Sequence, residues 1–464
     1  MLKSTTPGRT TAVVWWIALS IASLQLLSGC AATSVFVPYP YEAAKYRSAL
    51  LSDDATSVLS PLAAKTQGAD RLLYLSEQGR VHQVQGQFEA SKADFEQAIQ
   101  LYADRENKAR ISASNLAADS ASFLTNDNAR PYRGQDFERI FLYQFQAFNY
   151  LGEKDPSGAG VELRRAALEQ RNLELKNEKA TAAAEAQARE NNITLPDASS
   201  LGPLREMDAL VGNVKSAFQN AYTFYTSAVI WEAMGDRNAA LVDYKKALEI
   251  NPHSAMLQAD VRRLDNDKWD NDKRDSDQGT LVVLVEDGFI PARRAFNLTI
   301  PDFHRDKTYS IAFPYYSSEN WYRPVPLVVA IEGGERGTTE LIANFGGMAV
   351  KSLKDQIPQL LVRQILRART KYEMQDRAQK ADPLVGFVTT IYNIASEQAD
   401  LRNWLTLPNN AQVLRLQAPG GTHNVRLSTG VAGVEVPVTL VAGRTTMLRV
   451  FHINNQLKTQ IFQL

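Results

Sequence analysis

The sequence predicts an α+β protein of segregated modules, an N-terminal helical solenoid followed by a β-sandwich-like domain that carries a helical insertion. Three observations predict it. Small and aromatic residues recur at fixed spacing through the first half, β-branched runs punctuated by Gly and Pro fill the region beyond 279, and helical periodicity returns between 339 and 400. A length of 464 residues suits two or three domains, and the 44% hydrophobic content with 51 basic against 51 acidic side chains excludes a disordered chain. Without a basic excess the chain is not a dedicated nucleic-acid binder. Its single cysteine excludes an internal disulfide, a Cys-rich zinc site and an iron–sulfur centre.

That cysteine follows an apolar run. Lys3 and Arg9 precede an uncharged stretch, 12–27, which ends in Leu27-Ser28-Gly29-Cys30. A basic start, an apolar core and small residues before a cut site make a secretory signal, and the run is short for a membrane-spanning helix. The tetrapeptide resembles a bacterial lipobox, in which a diacylglycerol is attached to the cysteine sulfur and the chain is cut before it. The resemblance implies a signal peptide at 1–29, lipid attachment with palmitate-type chains at Cys30, and a tether with a first helix over 30–66. Ala31 and Ala32 follow, and the absence of aspartate there implies the periplasmic face of the outer membrane. Removal of the signal leaves 49 basic against 51 acidic residues.

The helical module spans 67–275. Leu75, Gly79, His82, Gly86, Ser91, Phe95 and Ala98 share their spacing with Phe224, Ala228, Trp231, Gly235, Ala240, Tyr244 and Ala247. Tyr143, Ala147, Tyr150, Lys154, Ala159, Leu163 and Ala166 repeat it with lysine in place of the turn glycine. The pattern resembles tetratricopeptide repeats: small residues where two antiparallel helices touch, aromatics in the groove, and a turn between. From Leu75 to Tyr143 is two periods of about 34 residues, so a degenerate unit is expected at Ala109, Ala113 and Leu116. The interval from Tyr143 to Phe224 holds an insertion, assigned to the polar tract near 172–200, a charged, solvated helix ending in a Leu195-Pro196 loop. The Asp-rich segment 262–277 lacks the glycine and terminal glutamate of an EF-hand loop and reads as a linker.

In the β-rich domain, 279–464, strands are expected at 280–286, 294–300, 310–313, 325–332, 413–417, 424–428, 434–441 and 446–453. Gly333-Gly334 and Pro419-Gly420-Gly421 supply turns. The helical insertion, 339–400, is interrupted by Gly346-Gly347, Pro358 and Pro383, and its stripe of Leu353, Ile357, Leu360, Leu361 and Ile365 is expected to cover a sheet.

No two of the five histidines are close enough in sequence to form a metal-ligand pair, and nucleophile-elbow, phosphate-loop and His-Glu-x-x-His motifs are absent. No catalytic residue, metal or cofactor is expected. Gly333-Gly334-Glu335-Arg336-Gly337 reads as a hairpin turn.

Tyr132-Arg133-Gly134-Gln135-Asp136-Phe137-Glu138-Arg139, Val161-Glu162-Leu163-Arg164-Arg165, the run 399–408 around Trp404 and Pro419-Gly420-Gly421-Thr422-His423 resemble an uncharacterised family of bacterial tetratricopeptide lipoproteins. That family is associated with lipoprotein activators of penicillin-binding proteins. The resemblance implies cell-envelope work with an envelope protein as partner, a peptidoglycan synthase being one such partner. Tyr132, Arg139, Tyr143 and Arg164 are the candidate partner-binding residues, although Arg139 and Arg164 also suit salt bridges between helices. The Trp404-Leu405 segment is expected to plug the join between helical insertion and sandwich. The alternative reading is a glycan- or polymer-binding assembly factor for exported polysaccharide, with Tyr315, Tyr316, Trp321 and Tyr322 as stacking surfaces.

Overall fold

The structure, a computed structural model, describes residues 37–52, 55–112, 130–193, 201–265, 277–302, 307–381 and 398–464. The lipobox with Cys30 therefore lies outside the described residues.

Helices α1 (Tyr39–Ala49) and α2 (Thr56–Lys65) lead into three antiparallel pairs. These are α3 (Arg71–Val84) with α4 (Phe88–Ser112), α5 (Asp136–Gly152) with α6 (Pro156–Glu190), and, after α7 (Gly202–Val211), α8 (Ala221–Ala233) with α9 (Arg237–Ile250). Helix α10 (Ala255–Asp265) follows. The pairs coincide with the three repeats read from spacing. Ala98, Ala147, Ala166, Ala228 and Ala247 are fully buried between helices, and at Gly79 a methyl group would stand 2.5 Å from the Phe95 ring. Gly86 and Gly235 turn the chain with φ of 78° and 85°, and Lys154, which replaces the glycine, takes the same left-handed conformation at 62°. Asp155 and Asp236 then cap the second helices by accepting from the Gly158 and Ala239 amides.

One expectation is corrected here. Helix α4 runs unbroken past Ala109 to Ser112, so no separate unit begins there, and the extended helix takes up the first part of the long interval before α5. Ala113 and Leu116 lie outside the described residues. The polar tract from 172 is helical, as expected, and continues α6 to Glu190; Leu173, Ala184 and Ala188 bury one side of it.

The strands are β1 (Gln278–Asp287), β2 (Arg294–Asp302), β3 (Lys307–Tyr315), β4 (Val328–Ile331), β5 (Arg336–Thr338), β6 (Glu340–Asn344), β7 (Asn410–Pro419), β8 (Gly421–Ser428), β9 (Gly433–Leu440), β10 (Thr445–Ile453) and β11 (Gln456–Gln463). They form a five-stranded sheet ordered β11-β10-β1-β7-β6, a four-stranded sheet ordered β5-β4-β8-β9, and the hairpin β2-β3. Leu281, Val283, Val285, Leu414 and Leu416 meet Val425, Leu427 and Val438 between the two larger sheets, which makes a sandwich. It is not purely antiparallel, because β1 pairs β10 in parallel. β1 is buried on both faces, as its unbroken apolar run requires: Val282 and Leu284 join the helical core.

The segment from Thr339, expected to open the insertion, forms β6 paired to β7, and helix α11 (Phe345–Ala381) starts only after it. Gly346-Gly347 is the first turn of this helix and not a break, capped by Asn344, which accepts from the Gly347 amide at 2.8 Å. A Cβ on either glycine would come within 3 Å of Asn409 or Val214. Pro358 sits inside α11, and Pro383 lies outside the described residues. Leu353, Ile357, Leu361 and Ile365 are buried, and the helix lies against α6 and α7 as well as β3, so it covers helices more than a sheet.

Lys154→Gly should raise the unfolding free energy by about 0.5–1 kcal/mol, because glycine adopts the left-handed turn without a Cβ penalty. Gly235→Ala should lower it by about 1 kcal/mol for the same reason. Urea denaturation of the two variants checks both.

Candidate functional site

In an array of helix pairs the first helices line the concave side, where partners are held. Here α3, α5 and α8 turn that side toward the five-stranded sheet of the same chain. Their shared contact is a cluster of charges. Glu286 of β1 accepts from Arg449 of β10 at 2.7 Å, from Tyr222 of α8 at 3.1 Å and from Arg80 of α3. Gln83 ties both arginines together through its side-chain oxygen and donates to the Phe145 carbonyl at 2.6 Å. The guanidinium groups also stack, Arg449 on Phe148 at 3.8 Å and Arg80 on Phe145 at 4.3 Å. Burial would push the Glu286 carboxyl up, but Arg449 and Arg80 hold it below its ordinary range; burial draws Arg80 down to about 10.

A second cluster closes the other end. Arg415 of β7 meets Glu232 of α8 at 3.0 Å and Asp260 of α10 at 2.8 Å, while Arg263 grips Glu232 with two bonds. Against the upward push of burial, Arg415 and Arg263 hold Glu232 at about 2.

Between α3 and α5 the groove is filled by chain that runs from Arg402 to β7. Glu138 accepts the Trp404 amide at 2.7 Å, and Glu77 accepts the Leu405 amide at 2.8 Å together with the Thr406 amide and hydroxyl. The Trp404 ring packs on Phe95 and Phe145, with centroids 5.8 and 5.6 Å away. Two repeat helices thus hold a turn of this segment by its backbone amides, and the segment is the protein's own. The Trp404 plug sits in the solenoid groove, not at the join of insertion and sandwich, because the Phe95–Phe145 pocket takes its ring.

The proposed partner-binding residues separate accordingly. Tyr132 is buried, donates to Glu138 at 2.6 Å and lies under Arg402, which bridges Asp70 and Asp400. Tyr143 is buried against Ile140, Ala166 and Phe218. Arg139 pairs with Glu106 and Glu169 between helices, as its structural role requires. Arg164 is exposed on α6 and stacks on Trp231 at 4.0 Å. The structure brings Tyr132 and Arg139 to one end of α5 and leaves Arg164 on the outer surface.

An open cleft of about 320 Å³ lies between the end of α1, the loop after β1 and the loop after β3. Trp321, Tyr322 and Phe289 line it half-buried; of the other expected stacking residues, Tyr316 is fully buried and Tyr315 packs on Phe296. Among the described residues no group of three His, Cys, Asp or Glu side chains could hold a metal ion, and no helix is long and apolar enough to cross a membrane. His82 is held by Asp94, and His452 by Asp287. Gly333-Gly334 forms the β4–β5 turn.

Glu286→Ala should destabilise by about 3–5 kcal/mol, since it leaves two buried guanidinium groups facing each other; denaturant unfolding measures it. Glu77 gives a pH dependence. Burial raises its carboxyl to about 7 despite the Thr406, Tyr39 and Leu405 donors. The folded state then holds a proton that the unfolded chain has released, so stability is highest below the ordinary value near 4.5 and falls as pH rises to about 7. Melting curves across that window should fall for the wild type and be flatter for Glu77→Gln.

The tetratricopeptide repeat family matches residues 221–254, the α8–α9 pair together with the turn that leads to α10. No curated protein and no solved structure matches the chain. Tetratricopeptide repeats are protein-interaction modules and generally non-catalytic; this chain carries one by direct match, and two further antiparallel helix pairs share its residue spacing.

Proposed function

We propose that the protein is a non-enzymatic scaffold of the bacterial outer membrane, tethered on its periplasmic face through lipid on Cys30, which holds an envelope protein engaged in peptidoglycan assembly or envelope maintenance. The observation that carries the scaffold reading is the outward face of α6. With the concave side occupied by its own sheet, the array presents its second helices to partners. On α6, Val161, Leu168 and Leu175 are 45%, 51% and 58% exposed at seven-residue intervals, on one side of the helix, with Arg164 and Arg165 between them. Large apolar side chains in that arrangement favour a docking helix or groove over plain solvent. A peptidoglycan synthase is the partner class that the family resemblance favours. The tether reading rests on Leu27-Ser28-Gly29-Cys30.

Two experiments test the two parts separately. Labelled palmitate should enter the wild type and not Cys30→Ala, and the wild type should fractionate with the outer membrane; an unlabelled wild type overturns the tether. A photo-crosslinker at Leu168 should trap one defined envelope protein, and Leu175→Asp should reduce the adduct at least about fivefold, the effect of roughly 1 kcal/mol at a contact. Absence of any adduct overturns the scaffold at this face.

A further inference from the structure

We infer that the cleft beside α1 binds a neutral saccharide, with Trp321 as the stacking platform. This goes beyond the scaffold reading and does not depend on the tether or on the α6 face. Three properties of the cleft point the same way.

Its walls are aromatic and polar in the proportion a sugar needs. Trp321, Tyr322 and Phe289 offer half-buried ring surface, on which the C–H face of a pyranose packs. Asn320 and Asn454 stand exposed at the rim. An amide both donates and accepts, which matches a hydroxyl.

Its size and donors suit the end of a short sugar. Arg47 donates to the Leu405 carbonyl at 2.7 Å and to the Ile290 carbonyl at 2.6 Å, and its guanidinium lies over Phe289; these contacts fix the group in place and leave its charge intact. Arg294 is paired with Glu319. The remaining guanidinium N–H groups of Arg47 can donate to a sugar hydroxyl or to an anion, and the phosphate arm of the experiment below separates the two. The volume, about 320 Å³, lies at the small end of ligand sites and suits a short oligosaccharide end.

Its walls are also set before any ligand arrives. Glu206 of α7 takes the Ser318 amide and the hydroxyls of Ser317 and Ser318, fixing the loop that carries Trp321. Tyr322 is pinned by Asp287 at 2.5 Å, and Asp287 is held in turn by His452 at 2.7 Å and Asn410 at 2.9 Å. Gly288 lies so close that a Cβ would stand 2.7 Å from the Tyr322 ring. A preformed site avoids the ordering cost that a mobile loop would impose.

Calorimetry and tryptophan fluorescence on the purified full chain test this with tri-N-acetylchitotriose, maltotriose and inorganic phosphate. At least one trisaccharide should bind with a dissociation constant below about 1 mM, equivalent to roughly 4 kcal/mol. Its affinity should change less than about twofold between roughly 50 and 500 mM salt, because the sugar carries no charge for salt to screen. The chitotriose arm reports an N-acetylated wall-type glycan and the maltotriose arm a plain glucan; binding of either supports the proposal. Trp321→Ala should weaken binding at least about tenfold at unchanged melting temperature, while Trp321→Phe keeps it within about threefold, the ring being what the sugar contacts. Should Trp321→Ala fail to fold, Trp321→Phe decides by abolishing the wild-type fluorescence change while heat of binding persists. No binding of either sugar at about 5 mM, tighter binding of phosphate than of sugar, or equal binding by folded Trp321→Ala overturns it.

Discussion

Glu286 brings a negative charge into the seam between sheet and helices, and Arg80 and Arg449 meet it there from opposite sides. The carboxylate is 2% exposed, Arg80 2% and Arg449 0%. Removing three charges from water costs several kcal/mol for each, so the cluster is tolerable only when every member is in place. That condition fixes where β1 and β10 lie against α3 and α8, and through Gln83 it also fixes α5. A shift of one strand residue would turn Glu286 into the apolar sandwich interior in place of Val285 and leave two arginines uncompensated. The modules are segregated in sequence but cannot sit on each other in a second arrangement.

The repeats were readable because their determinants are local. Gly79 against Phe95, or Ala228 and Ala247 in their pair, lie within one helical hairpin, and the spacing records the contact directly. Lys154 shows the same logic, since the turn demands a left-handed residue whether or not glycine supplies it. Most strands followed from β-branched runs and turn dipeptides. β11 was missed because Gln456-Leu457-Lys458-Thr459-Gln460 is polar and reads as a tail, and β6 because its five residues adjoin a long helix.

What sequence reading missed is the filled groove, and its determinants are distant. Arg80 and Glu286 are 206 positions apart, and Gln83 and Arg449 are 366 apart. Two signals did exist. Helix α8 is apolar or aromatic nearly all round, from Tyr222 and Phe224 to Ile230 and Trp231, which an amphipathic surface helix would not be. The run 281–285 is apolar without alternation, which requires burial on both faces. Together they announce a sheet lying on the first helices of the array. The candidate cleft was half legible: Trp321 and Tyr322 were marked as stacking residues, whereas Phe289, Asn409 and Arg47 come from three other parts of the chain.

The segment held by Glu77 and Glu138 has a consequence for competition. A ligand that is part of the same chain presents itself at an effective concentration on the order of millimolar, with no translational freedom left to lose. An outside peptide with equal intrinsic affinity for the α3–α5 groove would have to reach that concentration to displace half of it. At the micromolar levels of ordinary partners the groove is therefore closed by mass action alone.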